Sequence, residues 1–387
     1  MANWNHTMKT ALKKTVGLLA AEAIETFLQA AESYETATLK DQDPENLHQM
    51  RVNLRRLRTA MQVFSPSIQL PRAGREKQVA QVARRLGTLR DLDVIIATLQ
   101  NEYRPDLPEA ERAVLTTLFA KLEKNRKKAF KQVKRELRGD RYQTLKARLH
   151  KWAADPKCHA SAQLTIETVL PDLIQPAVSQ LCLQSGWLVS TEPTASGFKP
   201  VTPLNTNIDE LVAHHSQMLH SLRKQVKRVR YQLKFVSSCY GDRLDSELAR
   251  LADLQEVLGT LQDSLIMARF LQAAVPKWPT KLPTLKALLA AQHQRVWQQW
   301  QTHQQYYLKP ENRAALRQVL LHPGTPSVSA KAPKTKAKTS TKKATATAST
   351  RQTTKKSTSA RSTKSSTRAK KTNGSQNAAD NNSSDQA

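Results

Sequence analysis

The chain has 387 residues and a formal net charge of +29, with 61 Lys and Arg against 32 Asp and Glu. That length holds one large or two medium domains, and the charge excludes an acidic or neutral surface while favouring a polyanionic partner such as nucleic acid, polyphosphate or an anionic membrane face. Three cysteines, Cys158, Cys182 and Cys239, are too few for a disulfide framework and lack metal-ligand spacing, which points to a reducing cytoplasm.

Only 10 glycines and few β-branched runs predict an almost wholly helical body, with no apolar run near the roughly 20 residues that span a bilayer. Lys13 and Lys14 precede a short apolar run that Glu22 and Glu25 interrupt, so it reads as an amphipathic helix over residues 7–39 and not as a signal peptide. Asp43 as N-cap and Pro44 in the first turn open a second helix that ends near Ser65-Pro66. A third runs from Pro71, through Arg84 and Arg85, to just before Pro105. A fourth covers residues 109–138, with a basic row of Lys121, Lys124, Lys128, Lys131, Arg135 and Arg138, and Gly139 ends it. Shorter helices follow over 142–152 and 164–183. Residues 185–207 have the composition of a linker. Beyond Ile208, helices are predicted through Val236, over 245–274, over 282–307 and over 311–321. Residues 325–387 are dominated by Lys, Thr, Ser and Ala and are predicted to be disordered. Residues 331–371 hold 14 cations without an acid, yet the first 330 residues still carry a net +17.

The helix containing residues 47–64 has two faces. Leu47, Met50, Leu54, Leu57 and Met61 form one apolar stripe at about 100° per residue, and His48, Arg51, Arg55 and Arg58 form an adjoining arc. The design recurs 172 residues later: the stripe is Leu219, Leu222, Val226, Val229 and Leu233, and the arc is His220, Arg223, Lys227 and Arg230. A second motif, Leu86-Gly-Thr-Leu-Arg-Asp-Leu-Asp93, recurs as Leu258-Gly-Thr-Leu-Gln-Asp-Ser-Leu265 at the same interval of 172. Two motifs sharing one interval predict an internal duplication. Symmetry is incomplete, since Gln262 stands opposite Arg90.

These four motifs, in this order over roughly residues 5 to 322, resemble those of the CHAD family, the conserved histidine α-helical domain. The resemblance implies two similar helical bundles with a basic cleft or pore between them that binds inorganic polyphosphate. Many members of that family carry an N-terminal triphosphate-tunnel domain with a Glu-x-Glu-x-Lys signature. Here Glu109-Ala-Glu111 is followed by Arg-Ala, so that catalytic half is not expected in this sequence.

The signature arcs lack the acidic i, i+4 partners of an ordinary solvated helix face. They lie beside the apolar stripe, which places them along an interior groove, where crowded cations call for an anion. Aromatics make up 5% of the chain and none sits inside the arcs, so base stacking is not provided for. A chain of bare phosphates needs only repeated guanidinium, ammonium and imidazole donors. Neighbouring cations should keep His48 and His220 neutral in the free protein, and bound phosphate should reverse that. Asp91 and Asp263 are expected to orient an Arg of the same copy. No zinc motif, carboxylate cluster, phosphate loop or catalytic triad is present, so neither a metal, a cofactor nor catalysis is expected.

The predicted architecture is all-α: two similar four-helix-type bundles, residues 1–190 and 208–324, a linker over 191–207 and a disordered basic tail over 325–387. The expected function is non-catalytic polyphosphate binding in the cytoplasm, at polyphosphate granules, through His48, Arg51, Arg55, Arg58, His220, Arg223, Lys227 and Arg230. Arg56, Arg90, Lys128, Lys131 and Arg228 are expected to assist. The alternatives are a nucleoid-associated protein that binds DNA through its tail, and an enzyme or accessory subunit of polyphosphate metabolism. The sequence leaves oligomeric state open.

Overall fold

Caps and prolines set most of the helix boundaries. The computed structural model describes residues 11–195, 197–201 and 207–324, and among these the fold is all-α apart from one two-stranded hairpin. The predicted tail and the first turn of the first predicted helix lie outside the described residues. Thr15 caps α1, Val16–Glu32, by accepting from the Leu18 amide. The single long first helix expected from the sequence is broken here. The Ser33 hydroxyl bonds back to the Ala30 carbonyl at 3.0 Å, competing with helical continuation, and a short α2, Glu35–Lys40, ends at Asp41 with φ 56°.

Asp43 caps α3, Pro44–Val63, accepting from the Glu45 amide at 2.8 Å. Next come α4, Glu76–Thr98, extended by a π-helical turn over Leu99–Tyr103, then α5, Glu109–Arg138, α6, Asp140–Ala154, and α7, Ile166–Cys182. The stretch read as linker is in part a hairpin of β1, Thr191–Thr194, and β2, Gly197–Pro200, with Thr191 opposite Pro200. Its prolines argue against a central strand, but a two-stranded ribbon has only edges and tolerates them. Asn207 accepts from the Asp209 and Glu210 amides to open α8, Ile208–His214. The remaining helices are α9, Ser216–Val236, α10, Asp245–Ala274, α11, Trp278–Lys281, α12, Pro283–Leu308, and α13, Pro310–Leu320.

Both apolar stripes are fully used. Every stripe residue of α3 and α9 named above is buried, none more than 5% exposed. α3 packs on α1 and α4, α9 packs on α7 and α10, and α3 and α9 touch each other. Phe235 of α9 lies 6.1 Å from Phe27 of α1 and 5.8 Å from Phe64 at the end of α3, ring to ring, closing one seam of the core. A second, smaller core closes another, with Leu115, Leu118 and Leu122 against Leu271, Leu282 and Leu285. There the buried Glu111 carboxylate accepts from the Thr284 and Leu285 amides at 2.9 and 3.2 Å, an anion capping the N-terminus of α12. Lys121 donates to the Ala274 carbonyl at 2.8 Å at the C-terminus of α10. Within residues 1–190, a reciprocal backbone bridge joins two helix starts: Val16 N–H to Leu164 O and Ile166 N–H to Lys14 O, both 3.0 Å. It starts α1 and α7 side by side.

Structural cations are paired. Arg126 of α5 forks onto Asp41 at 2.7 and 2.8 Å and reaches the buried Asp93 at 2.7 Å, tying α2, α4 and α5. His150 of α6 bridges two carboxylates of α1, with Nδ1 3.0 Å from Glu25 and Nε2 3.1 Å from Glu32. Burial works against its charge, but the hydrogen bonds to Glu25 and Glu32 outweigh it and raise the imidazole above its ordinary value. A raised folded-state pKa means that this clasp stabilises fully below about pH 6.5, the unfolded value, and is lost as pH climbs through the folded-state value. Thermal melts should therefore show His150→Gln well below the parent at pH 5.5, with the gap closing by pH 8.5. A pH-independent gap would remove the charge from the clasp.

Candidate anion-binding grooves

With its stripe in the core, α3 presents the adjoining arc along α4. His48, Arg51, Arg55 and Arg58 line a groove of about 690 Å³ together with Arg84, Arg90 and Asp91. Arg51 is held by its Nη1 donating to the Ala83 carbonyl at 3.1 Å. That approach depends on the absent side chain at Gly87, where a Cβ would stand 2.5 Å from Nη1. The Leu-Gly-Thr-Leu motif is thus the seat of a guanidinium from the neighbouring helix. Arg58 is the exception in the arc, because its Nη2 lies 2.6 Å from Glu76.

A second groove of about 630 Å³ lies between α9, α10 and the end of α4, lined by His220, Arg223 and Lys227 of α9, Asp263 of α10, and Glu102 and Tyr103 of the π-helical turn. The two grooves share Asp91 and Val94 at their common rim. Arg223 pairs with Asp263 at 3.3 Å, while a Cβ at Gly259 would stand 3.6 Å from Arg223 Nη2, a looser fit than at Gly87. His220 Nδ1 sits 3.2 Å from Gln262 Oε1, where His48 instead faces the charge of Arg90.

Arg230 does not join its arc in that groove. It donates to Gln255 at 3.1 Å and lines a small cavity of about 200 Å³ with Arg55, Arg56, Tyr231 and Lys234. Arg55 stacks on Tyr231 with 4.3 Å from Cζ to the ring centre, and Arg56 donates to Asn53 at 2.9 Å. Arg228, Lys128 and Lys131 are exposed and line neither groove. Sequence reasoning passed over Arg84 and the role of Gly87. Both share a helical face with Asp91 at i, i+3 and i+7 spacing, which is the signal that would have found them.

The grooves differ in charge. The first sets His48 and five arginines against Asp91 alone, and the second sets His220, Arg223 and Lys227 against Asp91, Glu102 and Asp263. Burial and then Arg90 lower His48; burial and then Lys224 lower His220. Burial, then Arg223, push Lys227 down to about 8. The Asp91 carboxyl is raised by burial, with Arg51 pulling the other way. Such a site can hold phosphate oxygens by charge-assisted hydrogen bonds. Among the described residues no three His, Cys, Asp or Glu converge as a metal cluster.

A family model for the CHAD domain matches residues 22–272, and the chain belongs to the CHAD domain family. No curated protein matches the sequence. The structure is similar to that of PptA from Streptomyces chartreusis, at 15% identity and a TM-score of 0.50, over 79% of this chain and 99% of that one. The CHAD domain from the plant Ricinus communis also matches, at 21% identity and a TM-score of 0.47, over 80% of this chain and 92% of that one. These likenesses concern the fold.

Gly87→Ala should keep the fold, since the clash falls on the end of a flexible side chain and Ala favours a helix interior. It should displace Arg51, and any tripolyphosphate affinity of this groove, read by titration calorimetry, should then drop about tenfold, the worth of one charged hydrogen bond. Gly259→Ala should cost little. Equal losses would refute the assignment of Gly87 as the Arg51 seat.

Proposed function

We propose that the chain binds inorganic polyphosphate, without catalysis, with the first groove as its principal seat. One observation carries the reading: six basic side chains from two helices converge on a groove that holds a single carboxylate. Family membership supports it. A bare phosphate chain fits better than nucleic acid, because no aromatic side chain lines the first groove and the nearby Tyr231 ring is already covered by Arg55. Among the described residues no helix is long and apolar enough to cross a membrane. Residence in the cytoplasm, on polyphosphate granules, belongs to the same proposal. Binding DNA through the tail would rest on residues outside those described.

The deciding measurement is a competition titration with long-chain polyphosphate and duplex DNA at physiological salt, repeated on Arg51→Ala/Arg55→Ala/Arg223→Ala. The expected result is tight polyphosphate binding that DNA does not displace and the triple change destroys. Equal affinity for both polymers, indifferent to the triple change, would indicate a diffuse basic surface. Phosphate release in the presence of magnesium would instead make the protein an enzyme.

Affinity should also depend on pH in a defined sense. Bound phosphate favours protonation of Lys227, poised at about 8, and of the lowered His48 and His220. Binding should therefore take up protons and tighten as pH falls from 9 to 6. Lys227→Arg, which keeps the charge but does not titrate here, should flatten the part of the curve above pH 7. An unchanged profile in that variant would take Lys227 out of the binding equilibrium.

A further inference from the structure

We infer that the phosphate track continues beyond Arg58 into a second cationic cavity, so that long chains are gripped along the first half of the protein; this rests on the function proposed above. The cavity, of about 860 Å³, lies past the C-terminal end of α3 and is lined by Arg75, Arg148, Lys151, Lys157 and His159. These side chains come from three separate segments: the entry to α4, the outer face of α6, and the strand-like stretch after it. That stretch is held in place by Gln69 N–H to Lys157 O and His159 N–H to Ser67 O, both 2.9 Å. A solvated charge row comes from one helix; convergence from three segments does not follow from helical spacing. Among the described residues none of Arg75, Arg148, Lys151 and Lys157 has an ion-pair partner within 4.0 Å.

The cavity has two carboxylates, and one is already engaged. Glu76 is bound by Arg58 at 2.6 Å and by the Gln62 amide at 3.0 Å. Arg58 lines the first groove and Glu76 lines the cavity, so this pair is the partition between them. Both side chains are about one-third exposed, 34% and 32%, and an ion pair that accessible is readily parted by a competing anion. From His48 to Met61, which lines the cavity, α3 spans about 20 Å at 1.5 Å per residue. A short phosphate chain held by the first groove has no reason to reach the cavity. A long one continues into it.

The cavity suits bare phosphate for a second reason. Its aromatic residue, Trp152, is buried, with its indole N–H donating to the Lys157 carbonyl at 3.2 Å, and offers no open face to a base. His159 Nδ1 lies 3.1 Å from the Gln69 amide nitrogen, a donor. That contact uses Nδ1 and leaves the Nε2 edge of the ring for an anion.

The test is Arg148→Gln/Lys151→Gln in the full chain, titrated with tripolyphosphate and with long-chain polyphosphate over a salt series. Long-chain affinity should drop about tenfold or more, and the slope of log affinity against log salt should fall by about 1.4 for two lost phosphate contacts. Tripolyphosphate binding should be unchanged. Glu76→Gln, which opens the partition, should tighten long-chain binding. Unaltered long-chain affinity and slope would end the track at Arg58, and equal losses for both ligands would reduce the cavity to a general field effect. Failure of the parent to bind either ligand would fall on the proposed function itself, whereas Arg51→Ala, which weakens the first groove, should lower affinity for both ligands.

Discussion

Like charges can be packed side by side only on helices that something stronger holds in place. Here the helices that carry the crowded cations, α3 and α9, also sink their apolar stripes into the core, with no stripe residue more than 5% exposed. Burying those stripes offsets the repulsion within the arcs, and the crowding shows inside the second arc: Lys227 is driven down to about 8 by burial and by Arg223. The protein separates two kinds of cation. Arg126 and Lys146 are matched to carboxylates and hold helices together. Arg51, Arg55, Arg84 and Arg90 have no carboxylate within ion-pair distance among the described residues and stand in the open groove.

The placement of Arg51 shows how closely binding geometry depends on helix packing. A single missing Cβ at Gly87 lets a guanidinium bring Nη1 against the next helix and reach a backbone carbonyl of that helix. The matching contact at Gly259 is looser, and Asp263 takes part of the load from Arg223. The two grooves are therefore unequal in depth of anchorage as well as in charge. A polymer lying across them would meet a strong seat and a weak one, and an extended ligand has reason to run along the first half instead.

Helix existence was legible because its signals are local. Asp43-Pro44 and Gly139 mark boundaries by capping and steric rules, and the apolar stripes name the buried faces. The arcs were legible as sets for the same reason. What periodicity does not contain is the identity of the neighbour. It could not place α7 against α9, where Gln225 donates to the Ala177 carbonyl at 2.8 Å, nor turn Arg230 away from its arc toward Gln255. Lys128 and Lys131 illustrate the converse. Their spacing is as regular as that of Arg51 and Arg55, yet α5 buries a different face and leaves them in solvent. The hairpin at residues 191–200 was hidden by its prolines.

The reciprocal bridge between Lys14–Val16 and Leu164–Ile166 bears on how the protein is made. The bridge that starts α1 cannot form until a segment about 150 positions later has left the ribosome. At 5–20 residues per second that is a wait of roughly ten to thirty seconds. During it α1 has Phe27 without Phe235, and α3 carries its arginines beside an unfinished core. The nascent first half is then a sticky, strongly cationic intermediate held beside the ribosome's own RNA. A polyanion that meets it at that stage would act on its folding.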